Sequence, residues 1–247
     1  MRILLIADIH ANWAALRSVA AEPHDLCVCL GDLVEYGVEP EPCLAWVREH
    51  ARYCVRGNHD HGTAQNVAVN ARTGYRYLTA VTRTLTRQLL NEENLRYLGR
   101  LPVSRTVTLD ETRILLVHAS PRDPLDEYAP ADADYWTRRL EHVEADVICV
   151  GHTHLPFVLE VGDKLVINPG SVGQPRDGDP RAACAVIEDF KVDLRRIEYP
   201  VEESVAPIQA SSLPDEAKEM LIEVLRTGAA SPPKTNNREP KAEDREP

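Results

Sequence analysis

Seven side chains supply oxygen or nitrogen donors directly after apolar runs: Asp8, His10, Asp32, Asn58, His118, His152 and His154. Carboxylate, amide and imidazole are donor types that divalent transition-metal ions accept together. One octahedral or trigonal-bipyramidal ion would use roughly four or five of them, so seven are more than one ion needs. Two ions sharing a bridging carboxylate fit the count. Asp8 and His10 can hold one ion while Asn58 and His118 hold the other. Asp32, with two carboxylate oxygens, is the natural bridge. His152 and His154 stand two apart, so one can reach each ion. Two ions about 3.5–4 Å apart form a clamp for in-line displacement at phosphorus. The chemistry this set points to is hydrolysis of a phosphoester.

Donors spread from position 8 to position 154 need elements that gather them. Ile3-Leu4-Leu5-Ile6-Ala7 stops at Asp8-Ile9-His10, and Leu26 to Leu30 stops at Gly31-Asp32. Tyr53 to Arg56 stops at Gly57-Asn58-His59-Asp60, Ile114 to Val117 at His118, and Val147 to Val150 at Gly151-His152-Thr153-His154. Short apolar runs of this kind read as buried strands. Their tips would share one crevice at the carboxyl ends of a sheet, where ligand sites of open α/β folds lie.

Helices are expected over 11–22, from Pro40 or Pro42 to about His50, over 74–90 with Tyr77, Leu78, Val81, Leu85 and Leu89 on one side, briefly after Asn91, and over 132–144. Gly57 to Gly62 reads as a turn. From 104 onward strands dominate: hairpins over 104–117 and 157–167, and two strands around Glu188-Asp189. The sum is one α/β domain of two mixed β-sheets face to face with helices outside. It spans 1–228 and includes a last amphipathic helix, 214–227, with Gly228 as its C-cap. Residues 229–247 carry no large apolar side chain and are expected to form a disordered tail.

Composition narrows the function classes. The chain has 247 residues, 43% hydrophobic and 27% charged, with a formal net charge of −11. That acidity argues against a general nucleic-acid surface or an anionic membrane partner. It leaves room for a phosphorylated small substrate if bound metal supplies local positive charge. No apolar run approaches the roughly 18 residues of a membrane span, and no signal peptide precedes Asp8, so a cytoplasmic location is expected. A homo-oligomer is left open. The six cysteines lack a paired C-x-x-C pattern; five of them lie in strand-like runs and read as small core hydrophobes.

Taken in order, Asp8-x-His10, Gly31-Asp32, Gly57-Asn58-His59-Asp60, His118 and Gly151-His152-x-His154 resemble the calcineurin-like metallophosphoesterase superfamily. Asn168 to Arg176 resembles its small bacterial and archaeal phosphodiesterase branch. The resemblance implies a four-layer α/β/β/α sandwich. It implies one metal at Asp8, His10, Asp32 and His154, a second at Asp32, Asn58, His118 and His152, and a metal-bridging hydroxide as nucleophile. The matching histidine of the family, His59 here, protonates or stabilises the leaving oxygen, and Asp60 is the carboxylate expected to orient it. Arg56, Arg176 and Arg122 are the candidate phosphate-binding arginines. Ser171 is expected in a tight turn whose backbone faces the site, His61 in a turn with lining the pocket as the alternative, and His24, His50 and His142 on the surface. The metals could be manganese, iron, nickel, cobalt or zinc. A diesterase leads. A monoesterase, a dinucleoside polyphosphate hydrolase and a silent scaffold of the same fold are the alternatives, and a mononuclear iron oxygenase leaves too many donors unexplained.

Overall fold

A computed structural model describes residues 1–189 and 191–229. The expected tail lies outside the described residues, Ala229 excepted. The chain runs β1 (Arg2–Ile6), α1 (Trp13–Val19), β2 (Leu26–Cys29), α2 (Pro40–His50), β3 (Ala51–Cys54), α3 (Asn58–Gln65), α4 (Gly74–Leu89) and α5 (Glu92–Arg100). It continues through β4 (Ser104–Leu109), β5 (Thr112–Val117), α6 (Ala133–Leu140), β6 (Val147–Cys149), β7 (Phe157–Val161) and β8 (Lys164–Asn168). It closes with β9 (Ala182–Glu188), β10 (Lys191–Ile197), α7 (Val201–Ala210) and α8 (Asp215–Thr227).

Two five-stranded mixed sheets result, ordered β10-β9-β1-β2-β3 and β4-β5-β6-β8-β7. In the first, β1 pairs with β2 and β2 with β3 in parallel, while β9 returns antiparallel beside β1. In the second, β5, β6 and β8 are parallel. Side chains alternate faces along a strand, and β1 uses both. Ile3, Leu5 and Ala7 pack with Leu30, Ile114, Leu116 and Ile167 between the sheets. Leu4 and Ile6 pack outward with Leu16, Val19 and Leu44 of α1 and α2. On the far side of the second sheet, Val117, Ile148 and Val166 are covered by Trp136 and Leu140 of α6. This is the expected four-layer sandwich. All six cysteines are free thiols, and burial pushes Cys149 up to about 12, as suits an inert core residue.

Three local readings change. Residues 58–65 form α3 instead of a turn. That helix has no apolar stripe to betray it, since its buried residues are His59, Asp60, Gly62 and Thr63. Residues 201–210, unassigned in the sequence reading, form α7, which carries Pro207 inside it and so reads poorly as a helix in sequence. The third concerns α4. Its buried residues are Leu78, Thr79, Thr82, Arg83 and Thr86, whereas Leu89 is exposed. The aliphatic stripe of Tyr77, Val81 and Leu85 is only partly buried, against the α7–α8 cluster. The polar stripe faces the core because a buried acid waits there.

Candidate metal centre

Parallel strands deliver their carboxyl ends to one edge. Asp8 and His10 follow β1, Asp32 follows β2, Asn58 opens α3 after β3, His118 follows β5, and His152 and His154 follow β6. Backbone strain gathers at the same tips. Asp8, His10, Asp32, His152 and His154 all have positive φ, between 48° and 66°. Non-glycine residues enter that region at a cost, and such strain clusters at functional sites. Cross-links hold it in place. Asp8 N donates to Gly31 O and His10 N to Asp32 O, at 3.0 and 2.9 Å. Ser171 Oγ donates to Asp8 O at 2.8 Å, so the serine braces the β1 tip with its hydroxyl.

Glycines let the tips close. A Cβ on Gly57 would lie 2.0 Å from Asp32 Oδ1, and one on Gly151 would lie 2.9 Å from Asp8 Oδ2. Among the described residues three donor groups have ligand atoms close enough for an ion: Asp8 with His10 and His154, His10 with Asp32 and His59, and Asp32 with His118 and His152.

The donor chemistry fits metal. His10, His118 and His154 each turn Nδ1 to a backbone carbonyl, of Val34, Leu30 and Gln174 at 3.1, 2.8 and 2.5 Å. An Nδ1–H donor there leaves Nε2 as a lone pair aimed into the centre. Those lone pairs then face other acceptors. His10 Nε2 is 3.1 Å from His154 Nε2, and His118 Nε2 is 3.2 Å from Asn58 Oδ1. Among the described residues the buried Asp32 Oδ2 finds no donor of good hydrogen-bond geometry. The Nε2 atoms of His118, His10 and His59 lie 3.2, 3.8 and 3.9 Å from it. Acceptors that converge on acceptors need cations between them.

Titration tells the same story for the metal-free chain. Burial pushes Asp8 up to about 7, with the Asp32 charge adding to it. Burial would lower His118, but Asp32 and Asp8 hold it up at about 10. Asp32 stays well below the carboxylate range despite burial, because His118 and His59 face it. Burial drives His10 and His154 well below the imidazole range and His152 down to about 3.

The other expected site residues separate. His59 points Nδ1 at Glu35 Oε2, 2.6 Å away, so its Nε2 faces the centre. Burial would lower His59, but Asp32 and Glu35 raise it above the ordinary imidazole value. Asp60 does not orient it. The Asp60 carboxylate accepts from the backbone N–H groups of Asp32, Leu33 and Gly57 at 2.9, 2.8 and 3.0 Å. Adjacent helix residues point about 100° apart, so the Asp60 carboxylate is turned from the His59 ring toward the backbone of Asp32, Leu33 and Gly57. Arg56 is turned away, donating to Gly99 O at 3.0 Å. Arg176 is brought in. It lines a cleft of about 550 Å3 with Asn58, His59 and His152. It lies over the Tyr75 ring at 3.9 Å and donates to Gln174 Oε1 at 2.7 Å. Arg122 is exposed beside Glu127. His61 also lines the cleft, with a buried Nδ1 that finds no partner.

Glu35, Arg83, Tyr36 and Tyr75 are site neighbours that the sequence reading misses. Glu35 had one available signal. It follows Leu33-Val34, an apolar pair whose burial carries the loop into the core.

The family model of the calcineurin-like phosphoesterase superfamily domain matches residues 1–190. An uncharacterised protein of Methanocaldococcus jannaschii is 32% identical over 242 residues, covering 89% of this chain and 97% of the relative. The crystal structure of a metallophosphoesterase from Sphaerobacter thermophilus superposes with TM-score 0.77 at 32% identity, over 93% of this chain and 99% of that one. A hypothetical protein from Pyrococcus horikoshii OT3 shares the fold, with TM-score 0.79 at 21% identity over 93% of this chain and 99% of that one.

Proposed function

The chain belongs to the calcineurin-like phosphoesterase superfamily and is a metal-dependent phosphoesterase; from that premise we propose that it hydrolyses phosphodiesters at a two-metal centre. The observation that carries the reading is Asp32 Oδ2, buried without a well-aligned donor among the described residues and faced by three imidazole nitrogens. We assign one ion to Asp8, His10, Asp32 and His154, and the other to Asp32, Asn58, His118 and His152. When bound, the ions supply Lewis acidity toward the phosphoryl oxygens and make a water acidic enough to attack near neutral pH.

The protein's own groups do the rest. Arg176 reaches the cleft beside His152 and offers a guanidinium to a phosphoryl oxygen. As the ester P–O bond breaks, His59 Nε2 gives its proton to the departing oxygen, while Nδ1–H stays on Glu35. Asp60 serves by holding the Asp32 and Leu33 backbone. A cleft of about 550 Å3 beside His59 leaves room for a second ester substituent, which favours a diester.

The test is metal analysis together with hydrolysis of bis-p-nitrophenyl phosphate against p-nitrophenyl phosphate. Two ions per chain and faster diester turnover are expected. Faster monoester turnover makes it a phosphatase, and one ion per chain sinks the two-metal reading. No turnover of either ester with manganese, iron, nickel, cobalt or zinc would mark a silent scaffold.

A further inference from the structure

Glu35 is a carboxylate with no solvent exposure, in a loop residue with φ of 70°. Both of its oxygens are saturated. Oε1 accepts from Thr63 Oγ1 at 2.6 Å and from Arg83 Nε at 2.5 Å. Oε2 accepts from His59 Nδ1 at 2.6 Å and from Arg83 Nη2 at 3.3 Å. A carboxylate offers about four lone-pair sites, and here each has a donor. Arg83 supplies the charge that a buried carboxylate requires, through a fork matched to its two oxygens.

Arg83 is equally committed. Its remaining nitrogen, Nη1, donates to Val67 O at 2.8 Å. Each guanidinium nitrogen therefore makes one hydrogen bond, three of its five N–H groups in all, and the side chain is 9% exposed. It borders the cleft with its guanidinium held against Glu35 and Val67 O. Gly62 makes room for it. A Cβ there would lie 2.3 Å from Arg83 Cζ. Glycine is disfavoured in a helix interior, and Gly62 sits inside α3. Space for the guanidinium gives that glycine its purpose.

We propose that Arg83 is a positioning residue for leaving-group protonation: it locks the Glu35 carboxylate, which locks the His59 ring with Nε2 toward the scissile ester. The chain of contacts ties α4 to the chemistry across 48 residues of sequence. The proposal rests on His59 being the acid, so His59→Ala is the reference variant. A proton donor matters more as the leaving oxygen becomes more basic. Diphenyl phosphate therefore needs His59 more than bis-p-nitrophenyl phosphate does.

The experiment measures kcat for both esters in wild type, His59→Ala, Arg83→Met, Arg83→Lys and Gly62→Ala. It also records the low-field imidazole N–H resonance of the metal-free proteins, identified by its loss in His59→Ala. General acids contribute about 10²–10⁴-fold, so Arg83→Met should lower the kcat ratio of diphenyl to bis-p-nitrophenyl ester by at least about tenfold. KM should hold steady, the N–H resonance should shift or broaden away, and Arg83→Lys should recover part of both. Gly62→Ala displaces the guanidinium without deleting it and should move the ratio and the resonance the same way, which guards against a misfolded Arg83→Met. If His59→Ala shifts the ratio but neither Arg83→Met nor Gly62→Ala does, the positioning role is wrong. If His59→Ala leaves the ratio unchanged, the acid reading fails and takes this inference with it.

Discussion

At the scale of residues, the centre is a problem of charge that the protein leaves open for cations. Three imidazoles spend Nδ1 on backbone carbonyls, and their Nε2 atoms meet each other or a carboxylate. Asp32 is shared by both proposed ions, so Asp32→Ala should abolish turnover and cut metal content in a dialysed sample; two retained ions would refute the bridge. Protons occupy the metal-free site instead. His118 keeps its proton up to about 10 and Asp8 up to about 7. Both must lose it to bind an ion, so binding near pH 7 should release protons, and affinity should rise most steeply with pH below about 7, less steeply up to about 10, and level off above. Calorimetric titration in buffers of different ionisation enthalpy checks this, and a proton count of zero would contradict it. The seven donors were legible because an acid, amide or histidine after an apolar run declares itself by type. Glu35 and Arg83 were not, since each looks like an ordinary surface charge until the fold joins them.

At the scale of elements, the turn from β3 into α3 is tightly constrained. Gly57 packs so closely on Asp32 that a methyl would overlap its carboxylate oxygen. Gly57→Ala should therefore weaken metal binding by moving Asp32, visible as a lower metal-to-protein ratio, with the far-ultraviolet dichroism little changed. Asp60 anchors the same turn through three backbone N–H groups. A buried donor left unpaired costs roughly 1–3 kcal/mol and losses overlap, so Asp60→Ala should cost about 3 kcal/mol or more in urea unfolding. A cost below about 1 kcal/mol would remove Asp60 from this role. The strands and most helices could be read from apolar runs and caps. Asn91, for example, accepts from Asn94 N at 2.8 Å, as its place before Glu92-Glu93 suggested. The helix α3 could not, because polar contacts fix its buried face and leave no hydrophobic period.

At the scale of the molecule, both C-terminal helices join the same body. Ser204 of α7 donates to Asn12 Oδ1 at 2.7 Å, and Asn12 Nδ2 donates to Gly173 O at 3.0 Å. Val205, Ile208, Leu221 and Leu225 pack with Tyr36 and Leu78. We read 1–228 as one cooperative unit on these grounds, although the family model ends at 190. Ending the chain after Pro200 should uncover Tyr36 and the α4 stripe. A melting temperature lower by ten degrees or more is expected, on the order of a few kcal/mol for a chain of this size. Unchanged melting would make the two helices an accessory.

The sequence by itself determined the chemistry: the donor types, their order, and the apolar runs that set them at strand ends. It determined the sandwich as well, because alternation along strands and the spacing of helices follow from where apolar side chains fall. Only the tertiary structure decided which groups face one another. It gave His59 to Glu35 and Asp60 to the Asp32 backbone, and it turned Arg56 out and Arg176 in. The physical reason is direction. Neighbouring residues on a helix diverge by about 100°, and loops held at positive φ aim side chains where no sequence period predicts. Contacts between positions 35, 59 and 83 therefore exist only once the sheets and α4 have closed around them.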